Sequence, residues 1–336
     1  MNNKVSEGDG EGEMQEEIRK TMRGKRRTRR RKKRRVLRFL LCVIVLVALL
    51  AGYARYVEPY VLLQREESYT SVKLVSAASG SAGSSVDSKE PGDSNDSSHA
   101  GNASGGVKIA IFADTHFSEQ YTPENFHRVV EEINEREPDL IFFLGDLVDD
   151  FSSYTGDIEE IEAELAALKA KFGKFAVYGN HDYGGEMQFD YPKVMDAGGF
   201  RLLVNEAETL EELNLTVMGI DDMVIGYGDP TAAAVLEAER CNIVLCHEPD
   251  VADELLGYPV DLMLSGHTHG RQINLWFFDD YILPNYGRKY IKGAYELDGA
   301  AGNPLKLYVT GGIGTTKIPM RFASPPEINF IELKGE

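Results

Sequence analysis

Between residues 107 and 270 the chain repeats one pattern: a short apolar run closes on Asp, Asn or His. The run "VKIAIFAD" ends in Asp114, with His116 two residues on, and "DLIFFLGD" leads to Asp146 and Asp149. "KFAVYGN" leads to Asn180, His181 and Asp182, "NIVLCH" to His247, and "DLMLSG" to His267 and His269. Runs of this length, rich in Val, Ile, Leu and Phe, read as buried strands. Between the first of them, "TPENFHRVVEEINEREP" and "DIEEIEAELAALKAKFG" carry helical spacing. Thr122 suits the N-cap of the first, with Pro123 at the first helical position and Glu124 in the first turn. A third helix fits "DPTAAAVLEAERC". Strand and helix in alternation imply parallel crossover units, and open α/β sheets gather their sites at the carboxyl ends of strands. "FRLLVN", "LTVMGI", "INLWFF", "KLYVTGG" and "EINFIEL" add further strands, consecutive ones in the final third. The expectation is two sheets with helices outside, and no internal repeat.

Charge divides the chain sharply. Residues 19–38 hold fourteen Lys and Arg and no acid, whereas from Val107 onward 17 basic residues face 41 acidic ones. A domain that acidic repels a polyphosphate backbone, so nucleic acid is a poor partner for it; bound divalent cations would offset part of its charge. Three cysteines give no disulfide framework, and the odd spacing of Cys241 and Cys246 around "NIVL" points them to opposite faces of a strand.

Directly behind the cations lie sixteen residues without a charge, 39–54, "FLLCVIVLVALLAGYA". Snorkelling arginines and interfacial tyrosines 53, 56 and 60 make up for a length slightly short of a full span. Fourteen preceding cations argue against a core helix. A secretory signal is the rival, and "RRVLRFL" loosely resembles a twin-arginine export signal, but "GYA" is a poor cleavage site. The expectation is an uncleaved single transmembrane anchor, with the acidic-then-basic tail 1–38 in the cytoplasm and the remainder outside. The basic block sits against the span, so anionic lipid headgroups suit it better than nucleic acid. Residues 55–76 read as a juxtamembrane segment, with "SVKLVS" a candidate edge strand. Residues 77–106, dominated by Ser, Gly, Ala, Asp and Asn, read as a flexible, disordered insert that lets the domain 107–336 move relative to its anchor. His99 in the insert and His127 in the first helix have no motif around them; His127 reads as a surface or packing residue.

An Asp after a strand is often an N-cap, and "GNHD" alone could be a turn. Taken together, the strand ends offer carboxylate, imidazole and amide ligands without thiolate, a set suited to Mn, Fe or Zn and large enough for two ions. Two metals about 3.5–4 Å apart clamp the attacking and leaving oxygens of an in-line phosphoryl displacement. The ordered set D-x-H, G-D-x-V-D, G-N-H-D, a lone His and G-H-x-H resembles the calcineurin-like metallophosphoesterases over residues 107–336. The stretches "YILPNYGRKYIKGAYE", "LYVTGGIG" and "IPMRFASPPEINFIEL" are similar to its bacterial membrane-associated YkuE/YaeI-type branch.

The resemblance implies a four-layer α/β/β/α sandwich with a dinuclear centre at one edge of the two sheets. It implies that Asp114, His116 and His269 bind one ion, that Asn180, His247 and His267 bind the other, and that Asp146 bridges. His181 matches the family's catalytic histidine and Asp149 the carboxylate supporting it, with Asp182 behind the ligands. Metal-activated hydroxide would attack phosphorus while His181 protonates the leaving oxygen. The branch commonly has a second glycine after the last motif histidine, where this chain has Arg271. That side chain is either a solvated loop residue or an added phosphate contact, since a guanidinium binds an oxyanion bidentately. The expected function is a membrane-anchored phosphohydrolase requiring two divalent ions, a phosphodiesterase acting on an envelope lipid or nucleotide-sugar-like ester. The alternatives are a broad phosphomonoesterase and a non-catalytic, partner-binding scaffold; the scaffold is disfavoured because all seven ligand positions are filled.

Overall fold

The computed structural model of the chain describes residues 8–74, 106–275, 283–299 and 304–335. Two compact units result, Met1–Tyr53 and Ala54–Glu336. The polybasic block and the apolar run fall on one helix, α1 (Gly8–Tyr56), long and apolar enough to cross a membrane.

Among the described residues, the second unit is built on two six-stranded sheets. The first runs β1 (Leu63–Ser71), β12 (Glu327–Gly335), β2 (Val107–Phe112), β3 (Leu140–Phe143), β4 (Gly173–Ala176) and β5 (Arg201–Leu202). The second runs β10 (Gly293–Leu297), β11 (Leu305–Val309), β9 (Leu262–Ser265), β8 (Cys241–Leu245), β7 (Leu215–Gly219) and β6 (Glu206–Leu210). Strands β2 to β5 are mutually parallel, as are β7, β8, β9 and β11. Their carboxyl ends carry the polar clusters.

Period-two alternation sorts each strand between layers. Ile109, Ile111, Val217, Ile243 and Leu264 fill the space between the sheets. Ala110 and Phe112 face the opposite way, onto α2 (Pro123–Glu135), α3 (Ile158–Ala167) and α4 (Tyr191–Ala197), together with Phe126, Val130, Ile161, Leu165 and Tyr191. Met218, Val244 and Met263 form the outer face of the second sheet, under Leu236, Val251 and Leu255. Cys241 packs between the sheets and Cys246 outside, on opposite faces as their spacing implies. The architecture is the expected α/β/β/α sandwich. Thr122 caps α2, and His127 lies on its surface beside Glu164 of α3.

Several expected elements differ. "DPTAAAVLEAERC" forms only a 3-10 turn, Pro230–Val235. Its buried residues Pro230, Ala233 and Leu236 recur every third position, the repeat of a 3-10 helix, so the fourth layer is thinner than an α-helix would make it. Among the described residues "INLWFF" contributes only a bridge from Ile273 to Phe322; its last three residues, 276–278, lie outside them. The edge strand precedes "SVKLVS", meeting it only at Ser71: β1 pairs in parallel with all nine residues of β12. The insert therefore connects two strands of one sheet, β1 and β2, instead of joining an anchor to a separate domain; residues 77–105, His99 included, lie outside the described residues. Helix α4 and strands β6 and β10 were not foreseen.

Candidate metal centre

Five residues at the strand ends stand in the left-handed region: Asp114 (φ 52°), His116 (42°), Asp146 (61°), His267 (72°) and His269 (51°). Each such non-glycine residue costs on the order of 1–3 kcal/mol, so surrounding structure must hold these loops in shape. Glycines supply part of the room. A Cβ on Gly266 would meet Asp114 Oδ2 at 2.6 Å, and one on Gly179 would meet Asp146 Oδ1 at 2.4 Å.

Asp114, His116 and His269 form one group, and Asp146, His247 and His267 another, each with ligand atoms within 4.8 Å of one another. His247 Nε2 lies 3.1 Å from Asp146 Oδ2 and 3.9 Å from Asp114 Oδ1, while His116 Nε2 lies 3.4 Å from Asp146 Oδ2. Asp146 thus reaches toward both groups, as a bridging ligand must. His116 Nε2 and His269 Nε2 face each other at 3.0 Å.

Whether these residues fit metal ions is decided by their outer nitrogens. His247 Nδ1 donates to Leu144 O (2.6 Å) and His267 Nε2 to Asn285 O (2.8 Å), while His116 Nδ1 faces Asp149 Oδ1 at 3.2 Å. Backbone carbonyls on the outer nitrogens of His247 and His267 leave the inner nitrogens of those two rings free to turn a lone pair to a metal, the tautomer that binds one. His267 Nδ1 is buried with no hydrogen-bond partner among the described residues, and His247 Nε2 faces the carboxylates of Asp146 and Asp114. The donor set fits divalent cations. His269 differs: its Nδ1 faces Nη2 of Arg321 at 3.4 Å, and burial, then the charges of His116 and Arg321, hold its pKa well below the usual value.

Asp182 is fully buried and accepts from Asp146 N (2.8 Å), Leu147 N (2.9 Å) and Gly179 N (2.8 Å), tying the second and third strand-end loops together. Burial, then the charge of Asp146, pushes its pKa up to about 7. Burial also opposes ionisation of Asp146, but His247, His181 and His116 outweigh it and hold Asp146 well below the usual range. His181 donates from Nδ1 to the backbone carbonyl of Asp149 (2.5 Å), and the Asp149 carboxylate stands 3.9 Å from the same nitrogen, closer to His116. Burial lowers the pKa of His181, yet Asp146 and Asp149 raise it by more.

A groove of about 690 Å³ opens over the centre, bordered by Asp146, Asn180, His181, His267 and His269. Its walls add Arg271 and Lys317, together with apolar Val224, Ile273, Leu275, Leu283 and Ile318. All the expected ligands, His181 and Arg271 therefore border the groove or the two groups beneath it; Asp149 and Asp182 lie behind them.

Three contributors escaped the sequence reading. Arg321, fully buried, spends its guanidinium on Gly311 O, Gly314 O and Ser324 O. Gln272 braces the groove wall through Thr316 and Ile318. Glu58, far away in sequence, is buried against Ser324. Only Arg321 carried a signal, an arginine inside the apolar stretch "IPMRFA".

A calcineurin-like phosphoesterase profile matches residues 107–271. The YkuE metallophosphoesterase of Bacillus subtilis is 35% identical over 288 residues, covering 84% of this chain and 90% of the relative. The phosphodiesterase YaeI of Escherichia coli is 29% identical over 231 residues, covering 67% and 82%. A transmembrane protein with a metallophosphoesterase domain from Danio rerio is 29% identical over 245 residues, covering 68% and 53%.

Proposed function

Because the chain belongs to the calcineurin-like phosphoesterases, metal-dependent hydrolases of phosphoric esters, we propose that it is a membrane-anchored phosphodiesterase using two divalent ions on an envelope lipid or nucleotide-sugar-like ester. The observation that carries this reading is the gathering of Asp146 with the inward-facing nitrogens of His247 and His267, whose outer nitrogens meet backbone carbonyls, on the floor of a groove with both cationic and apolar walls. Asp114, His116 and His269 would hold one ion and Asn180, His247 and His267 the other, with Asp146 shared. Such ions, when bound, acidify water and polarise a phosphoryl group.

The protein's own groups do the remainder. Arg271 and Lys317 meet the charge of the ester, and the apolar wall accepts the non-reacting part of the substrate. With Nδ1 committed to Asp149 O, His181 carries its exchangeable proton on Nε2 and delivers it to the leaving oxygen. Asp149 steadies His116, and Asp182 fixes the loop of Asp146. Helix α1 anchors the chain, with residues 1–38 in the cytoplasm, the basic block on anionic headgroups and the catalytic unit outside.

The test is a panel of phosphodiesters and monoesters assayed under Mn, Fe and Zn. The expected result is hydrolysis of an aryl phosphodiester, abolished by chelation, restored by Mn and accompanied by close to two metals per chain. Asp146→Asn is expected to lose most of the activity and metal. Activity that survives complete metal removal would overturn the assignment, and a preference for monoesters would overturn the diesterase reading.

A further inference from the structure

Residues that follow an apolar span are usually polar, exposed and indifferent to a distant site. Here they are not. After α1 ends, Glu58–Tyr60 make a single 3-10 turn in which Glu58 is only 3% exposed. A buried carboxyl is costly unless its oxygens are used, and Glu58 Oε1 accepts from Ser324 N at 2.7 Å. Arg321 N donates to Ala54 O (2.9 Å) and Leu63 N to Pro326 O (2.8 Å), so the segment 54–63 grips the loop 321–326 at three points.

That loop holds two of the three ligands of one metal group. Ser324 Oγ donates to His269 O at 2.9 Å, and Arg321 Nη2 stands 3.4 Å from His269 Nδ1. The Arg321 guanidinium also clamps the carbonyls of Gly311 and Gly314. Between those glycines, Ile313 N donates to Ala113 O (3.0 Å) and Gly314 N to Asp114 O (2.6 Å). Gly312 packs so tightly on Asp114 that an added Cβ would lie 2.7 Å from the Asp114 Cβ. His269 is also the ligand whose outer nitrogen meets a donor where its counterparts meet acceptors.

We propose that Glu58 is a positioning residue for the Asp114–His116–His269 metal group, holding the 321–324 loop and, through Ser324 and Arg321, the ligands His269 and Asp114. The proposal rests on the dinuclear reading above. It makes the first turn after the apolar helix part of the metal centre, so that the junction with the anchor and the loading of one ion are linked.

The experiment titrates Mn²⁺ into the chelator-stripped full-length protein in detergent, following binding by calorimetry and the spin-coupled two-manganese signal by electron paramagnetic resonance. Groups that orient metal ligands are typically worth 10–100-fold in affinity. Glu58→Ala and Ser324→Ala are each expected to weaken one of the two binding events by about that factor, leave the other unchanged and abolish the coupled signal at limiting Mn²⁺. The double variant should be no worse than the weaker single one, since both act through one connection. Glu58→Gln, whose amide oxygen still accepts from Ser324 N, should recover most of the affinity. Tyr60→Phe removes another bond of the same turn, Tyr60 Oη to Gln120 O, and should leave both events intact. If Glu58→Ala does not fold, Ser324→Ala, a one-atom deletion, carries the test. Two events of wild-type affinity in both alanine variants would overturn the proposal. So would equal weakening of both events in step with a loss of stability of the stripped protein, the mark of a merely structural role. A wild-type chain that binds fewer than two Mn²⁺ would instead overturn the dinuclear reading itself.

Discussion

Arg271 stands at φ 73°, in the left-handed region where glycine is at ease and a long side chain is strained. Its backbone geometry gives a physical reason for the expectation of glycine at this position, and for a compensating use of the guanidinium at the groove wall. Arg271→Gly is accordingly expected to move two measurements in opposite senses. Stability should rise by about 1 kcal/mol, the low end of such strain because the side chain's own contacts go with it, read as a higher unfolding midpoint. KM for an anionic aryl diester should rise several-fold while kcat holds, because a binding contact is lost. An unchanged KM would assign the arginine to the solvated surface. His181 belongs to the same scale. His181→Asn should lower kcat by about 10²–10⁴ with metal content unchanged, and by less for a nitrophenol leaving group than for an alkanol, which needs the proton more. Loss of metal, or equal losses for both leaving groups, would reassign the residue.

Among the elements, α2 packs its buried face against the first strand-end loop. The ring of Phe126 on its buried face lies 5.5 Å from both Phe112 at the end of β2, tilted, and Phe117, the residue after His116, edge-on. Phe126→Ala should cost about 3–5 kcal/mol of unfolding free energy in denaturant, and added Mn²⁺ should recover part of it by binding only the folded state. A loss below about 1 kcal/mol would mean that the loop is held from elsewhere. The strands that bear the proposed ligands were legible because burial on both faces leaves continuous apolar runs, and the polar residue that ends each run is hard to place in any core. Edge strands and turns were not. β1, "LQREESYTS", is polar because one neighbour and a partly exposed position are enough for an edge strand, so its sequence shows no apolar run. The turn at 230–235 contains good helix formers, and only the three-residue spacing of its buried side chains distinguishes it. Legibility of the site failed in the same way. Ligands announce themselves by chemistry and motif, whereas Glu58, Ser324 and Gln272 act through contacts between segments distant in sequence, which no local pattern records.

On the scale of the whole molecule, the pairing of β1 with β12 decides what the Ser/Gly-rich insert can do. Were the insert a tether, cutting it would free the catalytic unit; with β1 in the sheet and Glu58 on the 321–326 loop, a cut chain remains joined by nine paired residues and several buried bonds. The proposed orientation rests on the distribution of charge: fourteen Lys and Arg fall in the twenty residues before the apolar run and three, Arg55, Arg65 and Lys73, in the twenty after it. By the positive-inside rule, bias of that size over short flanks favours a basic side in the cytoplasm, and the acids of the first eighteen residues count little against it. Protease added to intact spheroplasts is therefore expected to cut within 77–105, where large apolar side chains are almost absent, while both fragments continue to sediment with the membrane. Denaturant, not salt, should then release the larger fragment, because separating β1 from β12 breaks a sheet and not an ion pair. Release by cutting alone would show that the strand pairing does not carry the attachment. Complete protection until the membrane is permeabilised would place the metal centre in the cytoplasm, and a substrate in the envelope would be beyond its reach.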